Sequence, residues 1–162
     1  MLDALRVILV RDLNGVIAEL EAYPDDASVW QLPAGAPNSA GTLALHLEGN
    51  LRHFIGAVLG GTGFVRDCEA EFALRDLPRA ELAARLSTAR GEVESTLRAL
   101  APERLNERYP LAVGGMQPPT DAFLIHLAAH LTYHLGQIDY HRRLTTSSHA
   151  SVGTLGPAAL AP

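Results

Sequence analysis

The chain has 162 residues, 48% of them hydrophobic and 19% charged, with a formal net charge of −5. That length suits one domain able to bury about 70% of its unfolded surface, so no disulfide or structural metal is needed for folding. All 13 basic residues are arginine and the one cysteine is Cys68, which excludes a P-loop lysine, a Schiff-base lysine, a disulfide framework and a cysteine-rich zinc site.

Four long segments carry helical periodicity. The first runs from Leu2 to Glu21, with Leu5, Ile8, Leu9, Leu13, Val16, Ile17 and Leu20 spaced as one apolar stripe. A proline-bearing linker, Pro24 to Pro37, follows and holds the single tryptophan, Trp30. Ser39 is the expected N-cap of a second helix that passes through His46 and His53 and stops at Gly60-Gly61. An irregular, charge-rich stretch from Gly63 to Phe72 separates it from a third helix, which Asp76 is expected to open and which ends near Leu100. Around Gly114-Gly115 the stretch Tyr109–Met116 reads as a short hairpin or a plain loop. Thr120 is then expected to cap a fourth helix reaching Leu144. These elements make the fold class all-α, a four-helix bundle spanning residues 1–145, with residues 146–162 as a poorly ordered tail.

The chemistry concentrates in histidine. At about 100° per residue, positions four apart differ by roughly 40° and lie about 6 Å apart along the axis. His126, His130, His134, Gln137 and His141 therefore form one row, beside an apolar row of Leu124, Leu127, Leu131, Leu135 and Ile138. His46, Asn50 and His53 share a face of the second helix. Two imidazoles at i and i+4, joined by a third from a facing helix, give a three-nitrogen metal site with open positions, the pattern of a catalytic rather than a structural metal. The competing reading of the same row is the polar edge of a bundle helix. Residue 131 is leucine, so the zincin motif with its glutamate base is absent.

Three segments carry a resemblance: His46-Leu47-Glu48-Gly49-Asn50, then Arg66-Asp67 with Glu71-Phe72, then His130-Leu131-Thr132-Tyr133-His134-Leu135-Gly136-Gln137. Together they resemble the DinB-like superfamily of small metal-binding four-helix bundles. The resemblance implies that His46, His130 and His134 are the metal ligands and that zinc or nickel is the metal. It also implies an up-down-down-up order, with the long connection between helices two and three, and a homodimer. A thiol-dependent S-transferase or isomerase using a low-molecular-weight thiol is the implied activity, although many members have none known.

Around that site several residues are candidates. Asp67 either orients a histidine or serves as general base, against a structural Arg66–Asp67 bridge, and Glu71 is the other carboxylate placed to reach the site. Gln137 and Asn50 lie one turn from ligand histidines, as hydrogen-bond partners of a ligand or as helix packing. Arg66, Arg142 and Arg143 are candidates to hold the carboxylates of a thiol, against a reading as solvated surface cations. Whether His53 or His126 joins the site stays open, and Cys68 reads as an inert thiol. The expected partner is a small-molecule ligand or substrate. The acidic balance, with no basic run longer than Arg142-Arg143, argues against nucleic acid. No apolar run reaches the about 18 residues of a membrane helix. The opening residues Met1–Arg6 lack a signal-peptide pattern, so no membrane contact and a cytoplasmic location are expected. The rival functions are a hydrolase that activates water on the metal, and a non-catalytic, stress-associated binder of metal or small ligand.

Overall fold

Leu9, Leu13, Val16 and Leu20 are completely buried along the stripe that periodicity assigns to α1, Leu2–Glu21. The structure, a computed structural model, describes residues 1–153 and 156. The described residues form six α-helices: α1, α2 (Asp26–Trp30), α3 (Ala40–Leu51), α4 (Cys68–Ala73), α5 (Arg79–Ala99) and α6 (Thr120–Thr146). The described residues contain no strand, and the four long helices enclose one hydrophobic core. The all-α bundle expected from the sequence is the fold.

α3 is apolar around most of its circumference, and every residue of it except His46 is buried, as expected of a helix enclosed by neighbours. It packs against α5 and α6, and so does α1. Cross-contacts give the senses. Arg6 lies near Glu94 and Asn14 bonds Arg90, so α1 and α5 run oppositely. Asp12 meets Thr132 and Glu19 meets Arg142, so α1 and α6 run the same way. His46 meets His130 while Phe54 meets Phe123, so α3 and α6 are opposed. These contacts draw the chain up through α1, down through α3 and α5, and up through α6. Residues 58–78, with α4 in their midst, make the crossing from α3 to α5.

Several local details differ from the sequence reading. The linker folds into α2 because the Asp25 carboxylate accepts from the Ser28 N–H at 2.8 Å and starts a helical turn. Trp30 then packs over Gly41 and donates its indole N–H to the Leu77 carbonyl. The second long helix does not continue as α-helix to Gly60. At Arg52–Ala57 it widens into a π-helical turn, in which Val58 N–H reaches the His53 carbonyl five residues back. Asp76 adopts a positive φ of 61° and caps nothing, so α5 starts at Arg79 behind Pro78. Likewise Pro119 precedes α6 and Thr120 is its first residue, with no side-chain cap. At Gly114-Gly115 (φ 57° and 79°) the chain makes a tight reversal, closed by paired Val113–Met116 backbone bonds, without flanking strands. Of the tail expected to be poorly ordered, residues 154–155 and 157–162 lie outside the described residues. Ahead of them, the carbonyls of His149 and Ala150 accept from Arg143 and Arg142.

Candidate metal centre

His46 projects from α3 and His130 and His134 from α6, one helical turn apart on the face turned to α3. The Nε2 atoms of His46 and His130 stand 3.3 Å apart, and those of His134 and His130 3.1 Å apart. One ligand atom from each of the three side chains lies within 4.8 Å of the others. Two nitrogens bonded to one ion at about 2.0–2.1 Å with a tetrahedral angle are themselves about 3.3 Å apart. Both short separations are close to that requirement, so the residues present fit a metal ion.

Two of the three imidazoles have their tautomer set from behind. His46 donates from Nδ1 to the Glu71 carboxylate at 3.1 Å, and His134 donates from Nδ1 to the Gln137 amide oxygen at 2.6 Å. A neutral ring whose Nδ1 carries the proton presents a bare lone pair at Nε2. The two Nε2 lone pairs therefore converge on His130 Nε2. In the metal-free chain, the proton able to separate these nitrogens is one carried by His130. The Nδ1 of His130 is buried without a hydrogen-bond partner among the described residues, as is the Oδ1 of Asn50.

Glu71 is anchored in turn. Arg66 donates to both of its oxygens, at 2.6 and 2.7 Å, from the crossing connection just ahead of α4. The carboxylate fits because Gly49 has no side chain, since a Cβ there would collide with Glu71 Oε1. Burial alone would raise the pKa of Glu71, but the bonds and charges of Arg66 and His46 outweigh it and hold it below the usual value. Burial, with help from His134 and His46, pushes His130 down to about 4. Burial also lowers His134, against the opposing bond to Gln137. At neutral pH both rings are uncharged, the form in which imidazole ligates a metal.

The remaining candidates take different places. Asp67 is the N-cap of α4, accepting from the Ala70 N–H at 2.9 Å, and Arg66 pairs with Glu71 in place of the expected Arg66–Asp67 bridge. The sequence named both acids; the start of α4 decides which turns inward, because Asp67 sits before its first turn and Glu71 lies within it. Arg142 is 1% exposed and paired with Glu19, which is 2% exposed, on the side facing α1. Arg143 pairs with Asp139. A signal for Arg142 existed: it continues the buried spacing Leu131, Leu135, Ile138, just as Glu19 follows Asp12 and Val16 on α1. His53 stacks edge-on against Phe54, and His126 lies exposed over His130 with ring centroids 6.1 Å apart. Neither is among the three clustered histidines. Cys68 is exposed.

The sequence model of the DinB superfamily matches residues 9–138. The chain belongs to the DinB superfamily. The matched span runs from within α1 through most of α6 and includes all three histidines. Neither curated proteins nor solved structures provide a match to the chain. No helix among the described residues of this DinB-superfamily protein is long and apolar enough to cross a membrane.

Proposed function

We propose that this protein binds one divalent ion, zinc or nickel, on His46, His130 and His134, and uses it as an S-transferase or isomerase acting with a low-molecular-weight thiol. The observation that carries the reading is the convergence of three imidazole nitrogens, two of them oriented by Glu71 and Gln137. His46, His130 and His134 as neutral imidazoles would hold a divalent cation without cancelling its charge, and the cation would favour thiolate over thiol near neutral pH. In the proposed transfer a carbon–sulfur bond would form between the thiol and the electrophilic carbon of the second substrate, the leaving group would depart with its bonding pair, and the thiol proton would go to solvent.

The chain's own residues supply orientation. Arg66 and Glu71 fix the His46 ring, Gln137 fixes His134, and the Phe72 ring, 5.4 Å from that of His46, covers the side toward the crossing connection. The hydrolase alternative needs a free carboxylate base. Glu71 is engaged by Arg66 and His46, and Asp67 by the first turn of α4, which favours the thiol reading. A homodimer is part of the proposal. Ile125, Tyr133, Tyr140 and Leu144 form an exposed apolar ridge along α6, each more than half exposed, that a second copy would cover.

The deciding experiment is metal content by mass spectrometry for wild type, His46→Ala and His134→Ala, followed by turnover of monochlorobimane with cysteine or another small thiol. One ion per wild-type chain, lost in both variants together with turnover, is expected. A wild type that stays empty after incubation with zinc and nickel refutes the site. Full loading without turnover leaves a binder in place of an enzyme.

A further inference from the structure

A second concavity adjoins the histidine cluster, in the same groove between α3 and α6 but one turn farther along each helix. It has a volume of about 280 Å³ and is walled by Pro33, Ala36, Pro37, Leu43, Tyr140 and Leu144. Leu43 stands one turn ahead of His46 on α3. Gln137, which also lines it, stands one turn beyond His134 on α6.

Among the described residues, the walls carry no aspartate, glutamate or arginine. The one histidine among the described lining residues, His141, is tied on both nitrogens. Its Nε2 donates to the Gln31 carbonyl at 2.8 Å, and its Nδ1 accepts from the Tyr23 hydroxyl at 2.6 Å. That bonding pattern requires a neutral ring. A charged ligand would leave water here for a space with no counter-charge, which is costly. The Gln137 amide has a divided role. Its oxygen accepts from His134, and its NH2 group has no partner among the described residues.

We infer that this pocket binds an uncharged organic molecule with a flat apolar body and one carbonyl or ether oxygen, which accepts from the Gln137 NH2. The body lies among the prolines, Leu43 and Tyr140, and the oxygen points toward the histidine cluster. If the metal reading above holds, this molecule is the electrophilic substrate class, and pocket and metal are coupled through one amide. Polarising the Gln137 NH2 strengthens its oxygen as an acceptor for His134 Nδ1–H and makes the Nε2 of His134 a better ligand. Linkage then requires the ion to tighten the molecule by the factor by which the molecule tightens the ion.

The test uses prodan, a neutral naphthalene ketone whose emission moves to the blue in apolar surroundings, and the full chain stripped of metal. Expected are saturable blue-shifted binding to wild type and weakening of tenfold or more in Ala36→Trp, which fills the space, and in Ala36→Glu, which charges it. Weakening of about threefold to tenfold is expected in Gln137→Leu, the range of one neutral hydrogen bond. The sulfonated naphthalene ANS should bind at least tenfold more weakly than prodan. Circular dichroism confirms that each variant is folded, and zinc content of the two Ala36 variants should match wild type. Absence of saturable binding, or equal binding by wild type and both Ala36 variants, overturns the pocket whatever the metal result. Prodan bound equally well in the presence and absence of zinc overturns the coupling alone.

Discussion

Replacing Glu71 by glutamine removes one charge from behind His46 while keeping an oxygen able to accept from its Nδ1. In the wild type the carboxylate is 5% exposed and takes two charge-assisted bonds from Arg66 and one from His46. A neutral amide gives weaker bonds to both, and its NH2 group repels one Arg66 donor. Outer-sphere carboxylates that orient a ligating histidine are worth about 10- to 100-fold in metal affinity, or about 1.4–2.7 kcal/mol. Weakening of charge-assisted bonds within this largely buried pair adds about 1–2 kcal/mol of lost stability. Zinc affinity is measured by competition with a chromophoric chelator, with unfolding in urea followed in parallel. Asp67→Asn is the comparison, because asparagine caps a helix as well as aspartate and Asp67 touches only the first turn of α4. It should leave affinity within twofold. Glu71→Gln binding zinc as tightly as wild type, or Asp67→Asn weakening it as much, would refute the account of how His46 is held.

Three other outcomes follow from the same geometry. His130 has a folded pKa of about 4 against about 6.5 unfolded, so between these values the unfolded chain binds more protons. Metal-free stability should therefore fall as the pH drops from 6.5 to 4, and urea midpoints for His130→Gln should vary less steeply over that window. Gly49→Ala should weaken zinc binding severalfold without touching a ligand, because the new methyl meets Glu71. A gain in stability of about 1 kcal/mol from alanine's helix propensity, with affinity unchanged, would show that the carboxylate moves aside freely. Arg142→Met should cost about 3–5 kcal/mol at pH 7 by leaving Glu19 buried without its partner. Burial raises the pKa of Glu19, so the deficit should narrow at lower pH as that group takes a proton, while zinc content of the folded variant stays at the wild-type level.

Much of this architecture is legible in residue spacing. Leu5, Leu9, Leu13, Val16 and Leu20 announce α1 because burial on a 3.6-residue period leaves an apolar stripe, and His130 and His134 announce a shared face for the same reason. Other features depend on contacts between segments that no local pattern encodes. α2 is hidden between prolines, and its existence turns on the Asp25 cap and on Trp30 finding Gly41. The widening of the helix at Arg52–Ala57 leaves no mark in composition. Its carbonyl at Phe54 accepts from the hydroxyl of Tyr109, 55 positions away. Arg142 continues the buried spacing of α6, but only Glu19, meeting it from a parallel helix, explains why a cation belongs there. Asp67 and Glu71 are equally plausible neighbours of a histidine until the first turn of α4 points one outward and the other at Gly49.

His46 and His130 are 84 positions apart, and the crossing connection, α5 and the Gly114-Gly115 reversal all lie between them. An ion shared by these rings closes the chain into a ring as a disulfide would, and a loop of that size is worth about 4.5 kcal/mol by the same entropy argument. Such a clasp does not need an unbroken chain. A protease cut at the exposed Gly114-Gly115 tip separates residues 1–114 from the segment carrying α6, yet the ion would still button the two pieces together. The nicked protein should travel as one particle with zinc present and come apart on adding a chelator.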